Sequence, residues 1–147
     1  MARDIGLLIL RLAGLYLAAG HGWGKLVGLA SGQSRFVEGV ANMGFPMPVL
    51  FAWAAGLAEF AGGLAMALGL FTRWAALLAG CTMFVAAFVR HRALSQLLSW
   101  LGVAPATEEA LRGWGNPELA TIFLIVCVAV ALLGPGRFSI DAKLGRK

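Results

Sequence analysis

The fold of this chain follows from residues 49–70, which read VLFAWAAGLAEFAGGLAMALGL. A helix of about 20 apolar residues rises roughly 30 Å, which matches the hydrocarbon thickness of a bilayer. Glu59 lies near the middle of this stretch. A carboxylate at that depth costs about 2.5 kcal/mol or more unless it is paired or protonated. The stretch therefore predicts a membrane helix that turns its acid toward other helices.

Small residues surround Glu59 on its face of the helix. The positions three and four residues away share that face, and they hold Ala55, Gly56, Gly62 and Gly63. Small side chains allow two helix backbones to approach closely in a membrane. We therefore expect this face to pack tightly against another helix.

The composition indicates an integral membrane protein. Of the 147 residues, 60% are hydrophobic and 13% are charged, whereas soluble domains carry about 25% charged residues. The pattern predicts an all-α fold, a four-helix bundle that forms a single membrane domain over residues 1–147. Short amphipathic helices are expected at the membrane surface in the connections between spans one and two and between spans three and four. The predicted spans cover about residues 5–23, 49–70, 74–89 and 117–133.

The net charge of +5 does not indicate nucleic-acid binding, because the basic residues flank apolar segments and form no long run. The expected partner is the lipid bilayer. Four spans place both termini on one side, and six basic residues on that side against five on the other favour cytoplasmic termini. The terminal side holds Arg3, Arg73, Arg137, Lys143, Arg146 and Lys147, and the other side holds Lys25, Arg35, Arg90, Arg92 and Arg112.

No metal site is indicated by the cysteines. Cys81 and Cys127 lie in separate apolar segments, and the sequence contains neither a CxxC motif nor a Cys/His cluster. We expect both thiols to act as small packing residues.

Arg11 is the second charged residue expected inside the membrane. Its long stem allows it to snorkel to the nearer interface, or its guanidinium can pair with Glu59. Counting 1.5 Å per residue places Arg11 about 9 Å and Glu59 about 16 Å from the same membrane face, a difference that an arginine side chain spans. We therefore predict an Arg11–Glu59 ion pair, which either fixes helix packing or leaves Glu59 to handle protons.

A cationic cluster is expected at the opposite end, where the first and third spans end. It combines His21 and Lys25 with Arg90 and His91. We predict that these four residues bind a cofactor or substrate such as an anion or a quinone carbonyl, although lipid headgroups would suit them equally well. Haem ligation by the two histidines would need their rings to face each other at one depth, which the spacing permits but does not indicate. Glu59, His21 and His91 are the predicted catalytic residues, because such groups in a dry site transfer protons.

Seven motifs in order resemble the DoxX family, and together they cover nearly the whole chain. They are Arg11-Leu12, Gly20-His21-Gly22 followed by Lys25-Leu26, GFPMP at 44–48, EFAGG at 59–63, LGLFTR at 68–73, His91, and GPGRFSID at 134–141.

The resemblance implies a bundle of four membrane helices in a bacterial-type inner (plasma) membrane. Members of the family are similar to the DoxD-type subunit of thiosulfate:quinone oxidoreductase, and others are thought to act in membrane redox assemblies with soluble partners. The loop before the fourth span departs from the family pattern, which expects a Gly-rich segment with a Gly-aromatic-Glu element, and Glu118 is the candidate substitute for that acid. The family's polar positions fall on Arg11, His21, Lys25, Glu59 and His91.

Three functions fit these expectations. The first is a small subunit of a quinone-linked redox assembly, which would make the chain an oxidoreductase subunit. The second is a non-catalytic membrane anchor or accessory subunit of a larger complex. The third is a small transporter, which would have to oligomerise because one copy contains no inverted repeat. The expected protein partner is therefore another chain of a membrane complex or a second copy of this one.

Overall fold

The structure, a computed structural model, describes residues 1–32 and 35–146. Every regular element within these residues is helical. The prediction of an all-α fold is therefore confirmed for the described part of the chain.

The first long helix, Ala2–Ala30, has 29 residues and extends beyond the predicted end near residue 23. Residues 23–30, WGKLVGLA, continue the apolar helical pattern, and the chain turns only at Ser31 and Gly32, where φ of the glycine is +72°. The turn predicted over residues 31–34 is described as far as Gly32, since Gln33 and Ser34 lie outside the described residues. The helix consists of α1 (Ala2–Tyr16), a π-helical segment (Leu17–Gly22) and α2 (Trp23–Ala30).

A short helix, α3 (Arg35–Asn42), occupies the next connection, where the sequence predicts one. The central helix α4 (Pro48–Leu68) follows. Pro48 suits the first turn of α4 because that position needs no N–H donor. The helix ends at Gly69, whose φ of +71° is the left-handed conformation that glycine adopts readily.

The third long helix, Thr72–Arg90, has 19 residues. It begins as α5 (Thr72–Phe84) and finishes as a second π-helical segment (Val85–Arg90). The remaining helices are α6 (Ala93–Trp100), α7 (Glu108–Trp114), α8 (Glu118–Leu133) and α9 (Ile140–Lys143).

Three helices among the described residues are long and apolar enough to cross a membrane, namely Ala2–Ala30, α4 and Thr72–Arg90. The fourth predicted span corresponds to α8, which has 16 residues and would rise about 24 Å. It reaches the length of a span only together with α7, to which it is bent by 51°. The structure therefore contains three to four candidate membrane spans.

Close contacts between small residues join α1 to α4. A Cβ atom added at Gly63 would lie 2.6 Å from the carbonyl oxygen of Gly14 and 3.1 Å from Cβ of Ala18. One turn further, a Cβ atom at Gly22 would lie 2.5 Å from the backbone nitrogen of Phe60. The expected close packing on the Glu59 face is thus present, and it fixes the register of the two antiparallel helices.

Different helices and turns lie at the two ends of the packed long helices. At the terminal end, α1 begins, α4 turns into α5, and α8 runs into the C-terminal segment. At the other end, which we call the cavity end, the first long helix continues from its π-helical segment into α2, the third long helix finishes in a π-helical segment, and α3, α6 and α7 gather. The candidate site lies at the cavity end.

Candidate functional site

A cavity of about 650 Å³ opens at the cavity end of the bundle. Its wall is formed by the end of the first long helix, α3, the first half of α4, the second half of the third long helix and the start of α8. The wall is largely apolar, with aromatic side chains from Phe36, Phe45, Phe51 and Phe123. The ionisable side chains that line it, apart from the thiol of Cys81, are His21, Lys25, Arg35, Glu59, Arg90 and His91.

Glu59 forms its ion pair with Lys25. The Lys25 ammonium donates to Oε1 of Glu59, and the carboxylate side chain is 1% exposed whereas the lysine is 23% exposed. The ammonium also lies 4.7 Å from the centre of the Phe36 ring, which adds a cation–π contact. The predicted Arg11–Glu59 pair is therefore wrong. The cation that pairs with Glu59 is Lys25, which lies toward the opposite end of the first long helix from Arg11.

The register of α1 against α4 explains the correction. Gly14 packs on Gly63, so Arg11, one turn earlier, lies level with Gly69, where an added Cβ would collide with the guanidinium. Gly69 is ten residues beyond Glu59, which corresponds to about 15 Å along the helix. Arginine cannot span that distance. The sequence predicts a separation of about 7 Å between Arg11 and Glu59 along the membrane normal, because both depths are counted from the predicted helix ends. The actual separation depends on where the two helices touch.

Arg11 is instead buried at the terminal end. Its side chain is 1% exposed and donates through one terminal nitrogen to the carbonyl oxygen of Phe138. The carboxylate of Asp141 lies near enough to attract the guanidinium electrostatically. Arg11 thus ties the first helix to the C-terminal segment and lies outside the cavity.

Asp141 fastens the same segment to the start of α5. Its carboxylate accepts hydrogen bonds from the backbone N–H of Phe71 at 3.0 Å, and from the backbone N–H and hydroxyl of Thr72 at 2.8 and 2.7 Å. Burial alone would raise the pKa of Asp141, but the bonds from Thr72 and Phe71, with the nearby charge of Arg146, outweigh it and hold the pKa below its usual value. A negative charge here also meets the positive end of a helix.

His91 has a defined tautomer. Its Nδ1 donates to the carbonyl oxygen of Trp114 at 2.7 Å, because a carbonyl oxygen can only accept. In the neutral ring Nε2 therefore carries the lone pair, and no hydrogen bond within the described residues engages it. His91 lines the cavity, so its Nε2 is an imidazole nitrogen available to a ligand there.

Gln96 holds the segment around His91 in place. Its side chain is 5% exposed, and its amide nitrogen donates to the carbonyl oxygens of His91 and Gly115, each at 2.7 Å. A Cβ atom added at Gly115, where φ is +71°, would lie 3.2 Å from Nδ1 of His91. The start of α6 and the turn after α7 are thereby locked against the histidine ring.

His21 enters the cavity wall through aromatic packing. The centre of its ring lies 6.1 Å from the Tyr16 ring and 6.1 Å from the Phe123 ring. It belongs to the first π-helical segment, and His91 directly follows the second. π-Helical turns occur frequently at functional sites, and here each presents a histidine to the same cavity.

The structure brings together five of the residues predicted for the site, and it separates Arg11 from them. His21, Lys25, Glu59, Arg90 and His91 line one cavity, while their catalytic and cofactor-binding roles stay predictions. Within the described residues, no three His, Cys, Asp or Glu side chains are grouped as metal ligands.

Sequence reasoning missed the roles of Gln96 and Asp141. Gln96 lies opposite the leucines of an amphipathic helix in the connection between the third and fourth spans, and it had no assigned contact. Asp141 belongs to a quoted motif but had no assigned contact. Glu118, the candidate substitute for the family acid, is exposed and accepts from the Asn116 amide at 3.1 Å without lining the cavity.

Comparison with known proteins gives the family. The DoxX family model matches residues 6–92. The chain is 32% identical to the inner membrane protein YqjF of Escherichia coli (strain K12) over 144 residues, which are 98% of this chain and 95% of that protein. It is 29% identical to the inner membrane protein YphA of the same organism over 142 residues, which are 97% and 92% of the two chains. No solved structure matches the chain significantly. Since the family model covers more than half of the chain and YqjF aligns with nearly all of it, this chain belongs to the DoxX family of integral membrane proteins.

Proposed function

We propose that this protein is a membrane subunit of a redox assembly and that it binds a quinone-type redox lipid in its cavity. The observation that carries the proposal is Glu59. Its side chain is 1% exposed, Oε1 is paired with Lys25, and the buried Oε2 has no hydrogen-bond partner in the described part of the chain. A buried polar atom without a partner costs about 1–3 kcal/mol. A polar ligand in the adjoining cavity would remove that cost.

The shape and lining of the cavity suit a quinone. Ligand pockets of about 300–1,000 Å³ with apolar walls and a few polar groups hold drug-sized molecules, and this cavity of about 650 Å³ falls in that range. Aromatic side chains can stack on a quinone ring. The cavity lies at one end of long apolar helices, so a lipid-soluble molecule could reach it from the bilayer.

The polar residues suit proton exchange with a quinone. Reduction of a quinone to a quinol consumes two electrons and two protons. Glu59 and the free Nε2 of His91 are the groups that would exchange those protons, and His21 could do the same on the opposite wall. The electrons would come from, or go to, a partner protein of the assembly, since quinone chemistry needs a second redox centre.

We further propose that the protein lies in an inner membrane with both termini in the cytoplasm, so that the cavity faces the outer side. The inner-membrane names of YqjF and YphA support the choice of membrane, and the small excess of basic residues at the terminal end supports the orientation. Reporter fusions at the C-terminus test it. Alkaline phosphatase activity at the C-terminus would contradict it.

The experiment for the central proposal is purification from native membranes in a mild detergent, followed by lipid extraction and quantification of quinones. The proposal predicts about one quinone per chain. Ala55→Trp places a large side chain in the cavity wall and should abolish the bound quinone, whereas Leu57→Trp at a 51% exposed position should retain it.

The same preparation separates the alternative functions. A stoichiometric protein partner without quinone would contradict the proposal and favour the accessory subunit. A homo-oligomer with neither quinone nor partner would favour the transporter. Quinone that remains bound in Ala55→Trp would show that the cavity is not its site.

A further inference from the structure

We infer that the cavity binds the reduced, hydroxyl-bearing quinol more tightly than the oxidised quinone. The inference rests on the proposed function, and it adds which redox state the site recognises. It follows from which hydrogen-bond donors and acceptors around the cavity already have partners.

Among the residues that line the cavity, the buried atom that lacks a partner, Oε2 of Glu59, is an acceptor. Lys25 donates to Oε1 of Glu59, and a carboxylate that is paired with an ammonium accepts hydrogen bonds but cannot donate them. Oε2 is buried and unpaired in the described residues. The ligand that satisfies it must bring an O–H or N–H.

A second acceptor lines the same cavity. The bond from Nδ1 of His91 to Trp114 leaves the lone pair of Nε2 free in the neutral ring. Gln96 and Gly115 fix the segment that makes this bond, so the ring is held in that tautomer. Glu59 and His91 therefore present two acceptors to the same cavity.

The lysine and arginine donors at the cavity depend less on a ligand for hydrogen bonds. Lys25 is 23% exposed and already bonded to Glu59. Arg35 and Arg90 are exposed, so water can satisfy their remaining N–H groups. A quinone carries two acceptor oxygens and would leave Oε2 of Glu59 unpaired, whereas a quinol carries two O–H donors. Binding of the quinone therefore leaves an acceptor facing an acceptor, which costs free energy, whereas the quinol places a donor against Oε2.

The test compares three ligands on the purified wild-type protein under anaerobic conditions. They are a short-chain benzoquinol, the corresponding benzoquinone, and the dimethyl ether of the quinol, which keeps the ring but has no O–H. Dissociation constants are measured by calorimetry in detergent. The quinol should bind about 10- to 100-fold more tightly than either of the others, as expected for a hydrogen bond to a charged group.

Variants then assign the preference to Glu59. Glu59→Gln introduces an amide that can donate as well as accept, so the preference for quinol should fall below about threefold. Glu109→Gln makes the same chemical change at an exposed position on α7 and should keep the wild-type ratio. An unchanged preference in Glu59→Gln would overturn the role given to this residue.

The wild-type measurements stand alone if Glu59→Gln does not fold. Equal affinity for all three ligands, or tighter binding of the quinone, would overturn the inference and leave the proposed quinone site intact. If none of the three ligands binds, both the inference and the proposed function fail.

Discussion

Replacing Lys25 with methionine should leave the buried Glu59 carboxylate without its ion-pair partner. Methionine keeps most of the length of the lysine stem but removes its charge. Glu59 is 1% exposed, and in the described residues its hydrogen bond comes from Lys25. Removing one partner of a buried ion pair costs about 3–5 kcal/mol. Because Lys25 is 23% exposed and water reaches it, we expect the lower end of that range, about 3 kcal/mol.

The assay is thermal unfolding in detergent, followed by size-exclusion chromatography of the heated samples. A loss of about 3 kcal/mol corresponds to a decrease in Tm of about 6–12 °C for a chain of this size. The double variant Lys25→Met with Glu59→Gln removes both charges, so it should recover about 2 kcal/mol relative to the sum of the single changes. Arg112→Met breaks an ion pair whose side chains are 82% and 86% exposed, and it should lower Tm by at most about 2 °C.

The opposite pattern of coupling would contradict the Lys25–Glu59 ion pair. If Lys25→Met and Glu59→Gln were additive while Arg11→Met and Glu59→Gln were strongly coupled, Glu59 would be paired with Arg11. The register fixed by Gly14 and Gly63 would then be incorrect.

Two further predictions concern the terminal end and the helix contact. Asp141→Asn should cost about 2–3 kcal/mol, because one acceptor oxygen is replaced by a donor. The depressed pKa means that the wild-type carboxylate stabilises the fold above its unfolded pKa of about 3.9 and that this stability is lost as the pH falls through the lower folded value. Melting curves between pH 7 and 2 should therefore show a steeper acid loss in wild type than in Asp141→Asn, and equal slopes would contradict this. Gly63→Ala places a Cβ 2.6 Å from the Gly14 carbonyl oxygen and should cost about 1–3 kcal/mol, whereas Gly24→Ala meets nothing within 4 Å and should be neutral or stabilising by up to about 1 kcal/mol. Equal Tm values for the two alanine variants would contradict the close contact between Gly63 and Gly14.

The helical fold was predictable because the apolar content of a segment, which determines whether it can span a membrane, is a property of that segment alone. Residues 49–70 contain enough apolar side chains for a span, and the structure places α4 at Pro48–Leu68. The small residues around Glu59 also correctly indicated a close helix contact, since steric size is a property of each residue. Helix ends were less accurate, because WGKLVGLA at residues 23–30 contains two glycines and yet continues the helix.

The partner of Glu59 was not predictable from counting. Two cations of the first long helix, Arg11 and Lys25, lie on the side that faces α4. Which of them pairs with Glu59 depends on the register of this helix against α4. That register is set by contacts of Gly14 and Gly22 with the backbone of α4. A sequence shows that such residues are small but not which residues they meet.

The cavity was partly predictable. His21, Lys25, Arg90 and His91 were grouped correctly because they lie toward the same end of the first and third long helices. The π-helical segments and the buried position of Gln96 were not foreseen, since both depend on long-range packing. Gln96 follows the helical pattern of a surface residue, and only the carbonyl oxygens of His91 and Gly115 give it partners in the interior.

Photolabelling with an azido-substituted quinone, followed by peptide mapping, shows directly whether a quinone binds beside Glu59. The label should concentrate on residues of the cavity wall such as Phe36, Phe51 and Phe123, and excess unlabelled quinol should remove it. Label spread over the lipid-facing surface, or label at the cavity that excess quinol does not displace, would contradict a quinone site beside Glu59.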